Sequence, residues 1–204
     1  MTMSCLFAPE KRKLNVGAKS KTQTQQEVAT TYIRWGKSSC PNRTTLVYDG
    51  FAAGSFYTSV GGAANYICLT KQPKWNDQTV YKSSSNVIYG AEYETSGRLW
   101  SNMHDHDVPC AVCQVPRSSV LLVPGRYSCC RNHTLEYSGY LMSGHDTHTS
   151  ATEFVCVDDE PEPTPLTSAN KNGRLFYFVT AKCGSLKCPP YEERKKFTYA
   201  VCSI

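Results

Sequence analysis

Apolar and aromatic side chains fall in short bursts along this chain, separated by polar stretches studded with Gly, Pro, Asn and Ser. Leu46 to Phe51 and Leu135 to Met142 are rich in them, and Tyr66 to Leu69, Val87 to Tyr93, Val120 to Val123 and Leu175 to Ala181 are similar. Aromatic and aliphatic residues suit a pleated surface, so bursts of this length bounded by turn formers predict strands. Gly61-Gly62 and Pro161-Glu162-Pro163-Thr164-Pro165 predict turns or loops, the second stiffened by its prolines. No window of ten or more residues has a convincing helical period, and no apolar run approaches the eighteen or so residues of a membrane span. The pattern predicts an all-β chain without a membrane span.

The pattern also recurs. Cys40-Pro41-Asn42-Arg43-Thr44-Thr45-Leu46-Val47-Tyr48-Asp49-Gly50 matches Cys129-Cys130-Arg131-Asn132-His133-Thr134-Leu135-Glu136-Tyr137-Ser138-Gly139 at a spacing of 89, keeping the Cys, Thr-Leu, Tyr and Gly. Asn65 to Leu69 then matches Glu153 to Val157 at 88, and Ala111-Val112-Cys113 matches Ala200-Val201-Cys202 at 89 again. One slipped residue is an ordinary loop insertion or deletion. Self-similarity at a fixed period marks a duplicated architecture. It predicts two tandem β subdomains, 32–113 and 114–204, packed about a pseudo-twofold axis behind a mobile basic tail of residues 1–31.

Composition sharpens the picture at two points. Of 204 residues, 40% are hydrophobic and 11 are cysteine, so a hydrophobic core and disulfide staples are expected to share the stabilisation, in an oxidising, extracellular compartment. Two sequons, at Asn42 and Asn132, suit a secreted glycoprotein, although residues 1 to 8 lack the continuous apolar core of a secretory signal. The net charge of +5 hints at nucleic acid until it is located. Lys11, Arg12, Lys13, Lys19 and Lys21 against Glu10 and Glu27 give the tail +3, which leaves +2 for everything after it. No Lys/Arg stripe remains to neutralise a phosphate backbone, so nucleic acid is not an expected partner.

The order of the cysteines, with Cys110-Ala111-Val112-Cys113, Leu135-Glu136-Tyr137-Ser138-Gly139-Tyr140-Leu141-Met142 and Cys183-Gly184-Ser185-Leu186-Lys187-Cys188-Pro189-Pro190-Tyr191, resembles the noncollagenous C-terminal domain of invertebrate short-chain, spongin-type collagens. It is more distantly similar to that of type IV collagen. The resemblance runs from Tyr32 to the C-terminus and implies a secreted structural domain of the extracellular matrix that assembles with itself or with other matrix proteins. No Gly-X-Y run occurs, so the triple helix is absent. The resemblance further implies nested disulfides: Cys40 with Cys113, Cys68 with Cys110, Cys129 with Cys202, and a small loop closed by Cys183 and Cys188. The sequence departs from that pattern at Tyr199, which stands where Cys110 stands in the first half and leaves Cys156 without its partner. Cys130 is a candidate to rescue Cys156, and Cys5 is left for an intermolecular bridge. A redox or zinc role for Cys110 and Cys113 is the rival reading, weakened by the lack of a second close Cys or His pair.

All five histidines lie in two stretches, and four of them, His104, His106, His145 and His148, sit among Asp105, Asp107 and Asp146. Gathered together they would suit copper or zinc, with an aspartate as ligand or as acceptor behind an imidazole. That defines the alternative function, a secreted metal-binding protein or metal-dependent enzyme, and it requires the two stretches to meet. The bland alternative is a pair of solvated His/Asp loops. No nucleophile elbow, phosphate loop or His-Glu-x-x-His motif adds support for an enzyme, and no catalytic residue is assigned.

Overall fold

The computed structural model describes residues 28–76, 79 and 85–204, and within them the chain is all-β. The strands are β1 (Thr30–Trp35), β2 (Thr45–Gly54), β3 (Ile67–Thr70), β4 (Tyr89–Tyr93), β5 (Pro109–Val115), β6 (Val120–Pro124), β7 (Thr134–Ser143), β8 (Val155–Asp158), β9 (Arg174–Phe178) and β10 (Thr198–Ser203). They form one hydrogen-bonded sheet in the order β6-β10-β7-β8-β1-β5-β2-β4-β9, with β3 added to β2. β9 pairs in parallel with β4 and antiparallel with β7, so the path closes on itself through β7, β8, β1, β5, β2, β4 and β9.

The pairings among β1 to β5 have counterparts among β6 to β10. β2 pairs with β3, β4 and β5 as β7 pairs with β8, β9 and β10, and β1 lies on β5 as β6 lies on β10. In β2 the register to β5 slips past Val47, and in β7 the register to β10 slips past Glu136. Gly50 faces Cys110 across the ladder, and Gly139 faces Tyr199. A Cβ at either glycine would overlap a backbone carbonyl, that of Leu69 or of Val157, so only glycine lets these strands approach.

Four disulfides lie within the described residues: Cys40–Cys113, Cys68–Cys110, Cys129–Cys202 and Cys183–Cys188, the pairings implied by the resemblance. Cys110 and Cys113 therefore each bond a distant cysteine, which removes the redox and zinc reading of that pair. Cys156 is a buried free thiol, and Cys130, itself disulfide-bonded, is not its partner. Cys5 lies outside the described residues, as does most of the expected tail. Thr30 and Thr31, at the end of the expected tail, pair with Val115 and Gln114 in β1. Those partners are far along the chain, so local composition carried no sign of them.

Both hydrophobic clusters draw on both ends of the chain. Trp35, Tyr66, Tyr93, Trp100 and Val108 pack with Met142, Val157 and Phe176 in one, and Tyr32, Cys113 and Val115 with Tyr137, Cys156, Tyr199 and Val201 in the other. The β1–β8 seam joins them through Trp35 and Val157, an ion pair of Arg34 with Asp158 at 2.7 Å, and a bond from the Ser38 amide to Glu162 Oε1 at 2.6 Å.

Candidate functional site

A single turn of 3-10 helix, Ser101–Met103, follows β4 and delivers His104 and Asp105. The chain then folds back on β4, where the Asp105 amide donates to the Tyr93 carbonyl and the Tyr93 amide to that of His106, at 2.9 and 3.0 Å. Asp105 takes a left-handed backbone, φ 62°, which is uncommon for a residue with a side chain. The result sets His104 between two carboxylates, with Nδ1 3.7 Å from Glu94 Oε2 and Nε2 3.7 Å from Asp105 Oδ1. His104 Nδ1 and Asp105 Oδ1 are both shut off from solvent without a hydrogen-bond partner. Burial raises the Glu94 carboxyl above its usual range, partly countered by His104.

The four histidines expected to converge are not gathered into one ligand set. Among the described residues, the only potential ligands of these types that approach one another in a group of three are Glu94, His104 and Asp105. His106 turns its Nδ1 to the carbonyl of His104, 3.0 Å away, satisfying itself within its own loop. His145 and His148 form a separate pair in the loop after β7, where the His148 amide bonds the His145 carbonyl at 3.0 Å and His145 Nδ1 lies 2.9 Å from Thr147 Oγ1. His106 and His145 find partners within their own short loops, while His104 Nδ1 and His148 Nδ1 are enclosed without one. Glu94 was missed because it stands apart from both His/Asp stretches in sequence, and only the fold-back onto β4 brings it to His104.

The His145 and His148 pair borders a cavity of about 640 Å³ between the 144–152 loop and β9. Their rings lie 5.5 Å apart and stand edge-on to Tyr177 of β9 at 5.1 and 5.7 Å. The aromatic contacts continue from His148 to Tyr57, from Tyr57 to Phe56 and from Phe56 to Tyr89, each at 5.0 Å or less between centroids. Burial, reinforced by His145, lowers the His148 pKa below its usual value, so its ring is neutral at pH 7. Its Nδ1 is also enclosed without a hydrogen-bond partner.

Two loops meet beneath this wall, the one after β2 and the one after β7, and Arg174 joins them. Its fully buried guanidinium donates to the carbonyls of Ala64 and Ala151 at 2.7 and 2.8 Å and to Ser150 Oγ at 2.8 Å, and stacks 5.0 Å from the Tyr66 ring centroid. Burying a cation among carbonyl dipoles is tolerable only when most of its donors are satisfied, and here both terminal nitrogens are bonded while Nε is enclosed without a partner. Nothing in the sequence marked Arg174, since an arginine at the head of a strand ordinarily reads as a surface residue.

The sequon asparagines Asn42 and Asn132 are exposed in the turns before β2 and β7. No known family model matches the chain.

Proposed function

We propose that this protein is a secreted structural domain of the extracellular matrix, built from two copies of one five-strand unit about a pseudo-twofold axis, and that it assembles through open strand edges. The duplication is supported by the matched pairings, the bulges at Val47 and Glu136, the glycines at Gly50 and Gly139, and two long disulfides of equal span, 73 residues each. The extracellular assignment is supported by the disulfides and the exposed sequons, and the matrix role by the resemblance to collagen noncollagenous domains.

One observation carries the assembly. β1 pairs with β5 on one side and β8 on the other, whereas its counterpart β6 pairs, among the described residues, with β10 alone. The counterpart of β8 is β3, which, among the described residues, pairs with β2 alone. β6 and β3 are thus the edges that a second copy would join if it repeated the β1–β8 seam between molecules. Leu121 and Leu122 on β6 and Leu69 on β3 are exposed there, at 43, 53 and 39%. Unpaired edges flanked by apolar side chains are templates for association. Two copies that exchange both edges form a closed dimer, and a one-way β6-to-β3 contact, being heterologous, gives a ring where its rotation closes and an open filament where it does not.

Light scattering of the oxidised protein is expected to show an oligomer. Leu122→Lys should reduce it to monomer with its circular dichroism unchanged, while wild-type protein that is monomeric at every concentration removes the proposal.

A second reading, a metal-binding protein, keeps a foothold in Glu94, His104 and Asp105, whose enclosed and unpartnered Nδ1 and Oδ1 atoms favour it. Elemental analysis for copper and zinc tests it, with one equivalent lost in His104→Ala as the supporting result and metal-free wild type after exposure to both ions as the opposing one.

A further inference from the structure

The cavity beside β9 has no part in edge-to-edge assembly, and its chemistry is specific. We infer that it is a carbohydrate-binding site, selective for neutral oligosaccharides. Its volume of about 640 Å³ falls in the range of small-ligand sites.

The walls combine two kinds of group. Aromatic groups come from Tyr177 on β9 and from Phe154 just before β8, which is 62% exposed. Hydroxyls come from Thr180 and from Thr149 and Thr152, whose oxygens can still accept beside their bonds to the Thr58 carbonyl and from the Gly144 amide, and the imidazoles of His145 and His148 add nitrogen atoms that donate or accept. A sugar ring has a face of C–H groups that lies on an aromatic ring, and a rim of hydroxyls that seeks such partners. An apolar ligand would leave the polar rim unpaired, at a cost in binding.

Charge decides between neutral and acidic sugars. The guanidinium of Arg174 is buried below the pocket and its terminal nitrogens are already bonded, so it presents no cation to an anionic ligand. No Lys or Arg lines the cavity, and the one ionisable carboxylate there, Asp146, would repel a sulfate, phosphate or sialic acid. His148 is held neutral by its surroundings.

The pocket is also preorganised. Arg174 bridges the two loops, Thr149 Oγ1 donates to the Thr58 carbonyl at 2.8 Å, and the Ser150 amide to that of Tyr57 at 3.1 Å. A wall fixed before binding loses little entropy when the ligand arrives.

The test is a glycan array carrying neutral hexose and N-acetylhexosamine oligosaccharides beside their sulfated and sialylated counterparts, probed with the intact oxidised protein. Binding to neutral glycans is expected, weakened about tenfold in Phe154→Ala and in Tyr177→Ala. Phe154 is exposed, so its variant keeps the fold and remains informative if Tyr177→Ala unfolds. Three results would overturn the inference: no glycan bound, only acidic glycans bound, or neutral glycans bound equally by wild type and Phe154→Ala. Assembly is read independently in the Leu122→Lys monomer, which is expected to retain glycan binding.

Discussion

Under the proposed duplication, residues 68 and 110 in one half of the chain correspond to residues 156 and 199 in the other, but the two pairs are built differently. The first is a disulfide between β3 and β5. In the second, the Cys156 thiol lies 3.6 Å from the backbone carbonyl of Tyr199, while the Tyr199 ring packs in a cluster with Tyr32, Tyr137 and Val201. Burial pushes the Cys156 thiol well above its usual pKa, which keeps it protonated and unreactive. The difference teaches that the strand register does not depend on this staple. Where it is missing, a buried aromatic ring takes its place in the core, and the longer Cys129–Cys202 bridge remains.

The largest effect that probes this comparison comes from the long bridges. In the chain-entropy account, closing a loop of this span contributes about 4 kcal/mol. Urea unfolding of Cys40→Ala/Cys113→Ala and of Cys129→Ala/Cys202→Ala should therefore show similar losses of that size. A large loss in one and almost none in the other would break the equivalence of the halves. Next come the two close-approach glycines. Gly50→Ala and Gly139→Ala each force a methyl against a carbonyl, and each should cost about 3 kcal/mol in thermal melts. If either is neutral, its strand does not need that approach.

A smaller effect would restore the missing staple. Tyr199→Cys is expected to pair with Cys156, which thiol titration reads as the loss of the Cys156 thiol. A bridge gain of about 4 kcal/mol less about 3 kcal/mol for the lost ring leaves a net stabilisation of ~1 kcal/mol. Persistence of two reduced thiols under oxidising conditions would show that the strands at 156 and 199 are set differently from those at 68 and 110.

The smallest effect is confined to the second half. The His148 pKa is lowered in the folded state, so below the ordinary value of about 6.5 the unfolded chain takes up this proton first. Its neutral ring costs nothing at pH 7.5. A loss of stability begins as pH falls through about 6.5 and grows until the folded-state pKa is passed. Corrected for the intrinsic slowing of exchange at lower pH, the protection factors of residues 144–152 should fall between pH 7.5 and 5, more than those in the loop after β2, and His148→Gln should remove the difference.

Much of the architecture was legible without coordinates because it is written in local patterns. The bursts at Leu46 to Phe51 and Leu135 to Met142 became β2 and β7, since aromatic and aliphatic runs between turn formers suit a pleated strand, even though Leu46, Val47, Tyr48 and Phe51 stay exposed on β2. β1, β5, β8 and β10 were not marked as strands. Several are short, and their identity depends on partners far along the chain, as when β1 is held between β5 and β8. The site was harder to read. Clustering in sequence drew attention to four histidines, but His106 and His145 are satisfied within their own loops, and the chain's fold-back on β4 brings Glu94 rather than another histidine to His104.

The amino-acid order by itself determined that this chain is β-structured, that cysteines repeat at matched spacing, and that His/Asp-rich and aromatic segments exist to be placed. Tertiary structure alone decided that Glu94 meets His104, that Arg174 goes to the interior, and that Tyr177 stands against His145 and His148. The physical reason is range. Strand propensity and turn chemistry act over a few residues, whereas burial and the satisfaction of buried polar groups are settled by whichever distant segments the closed sheet brings together.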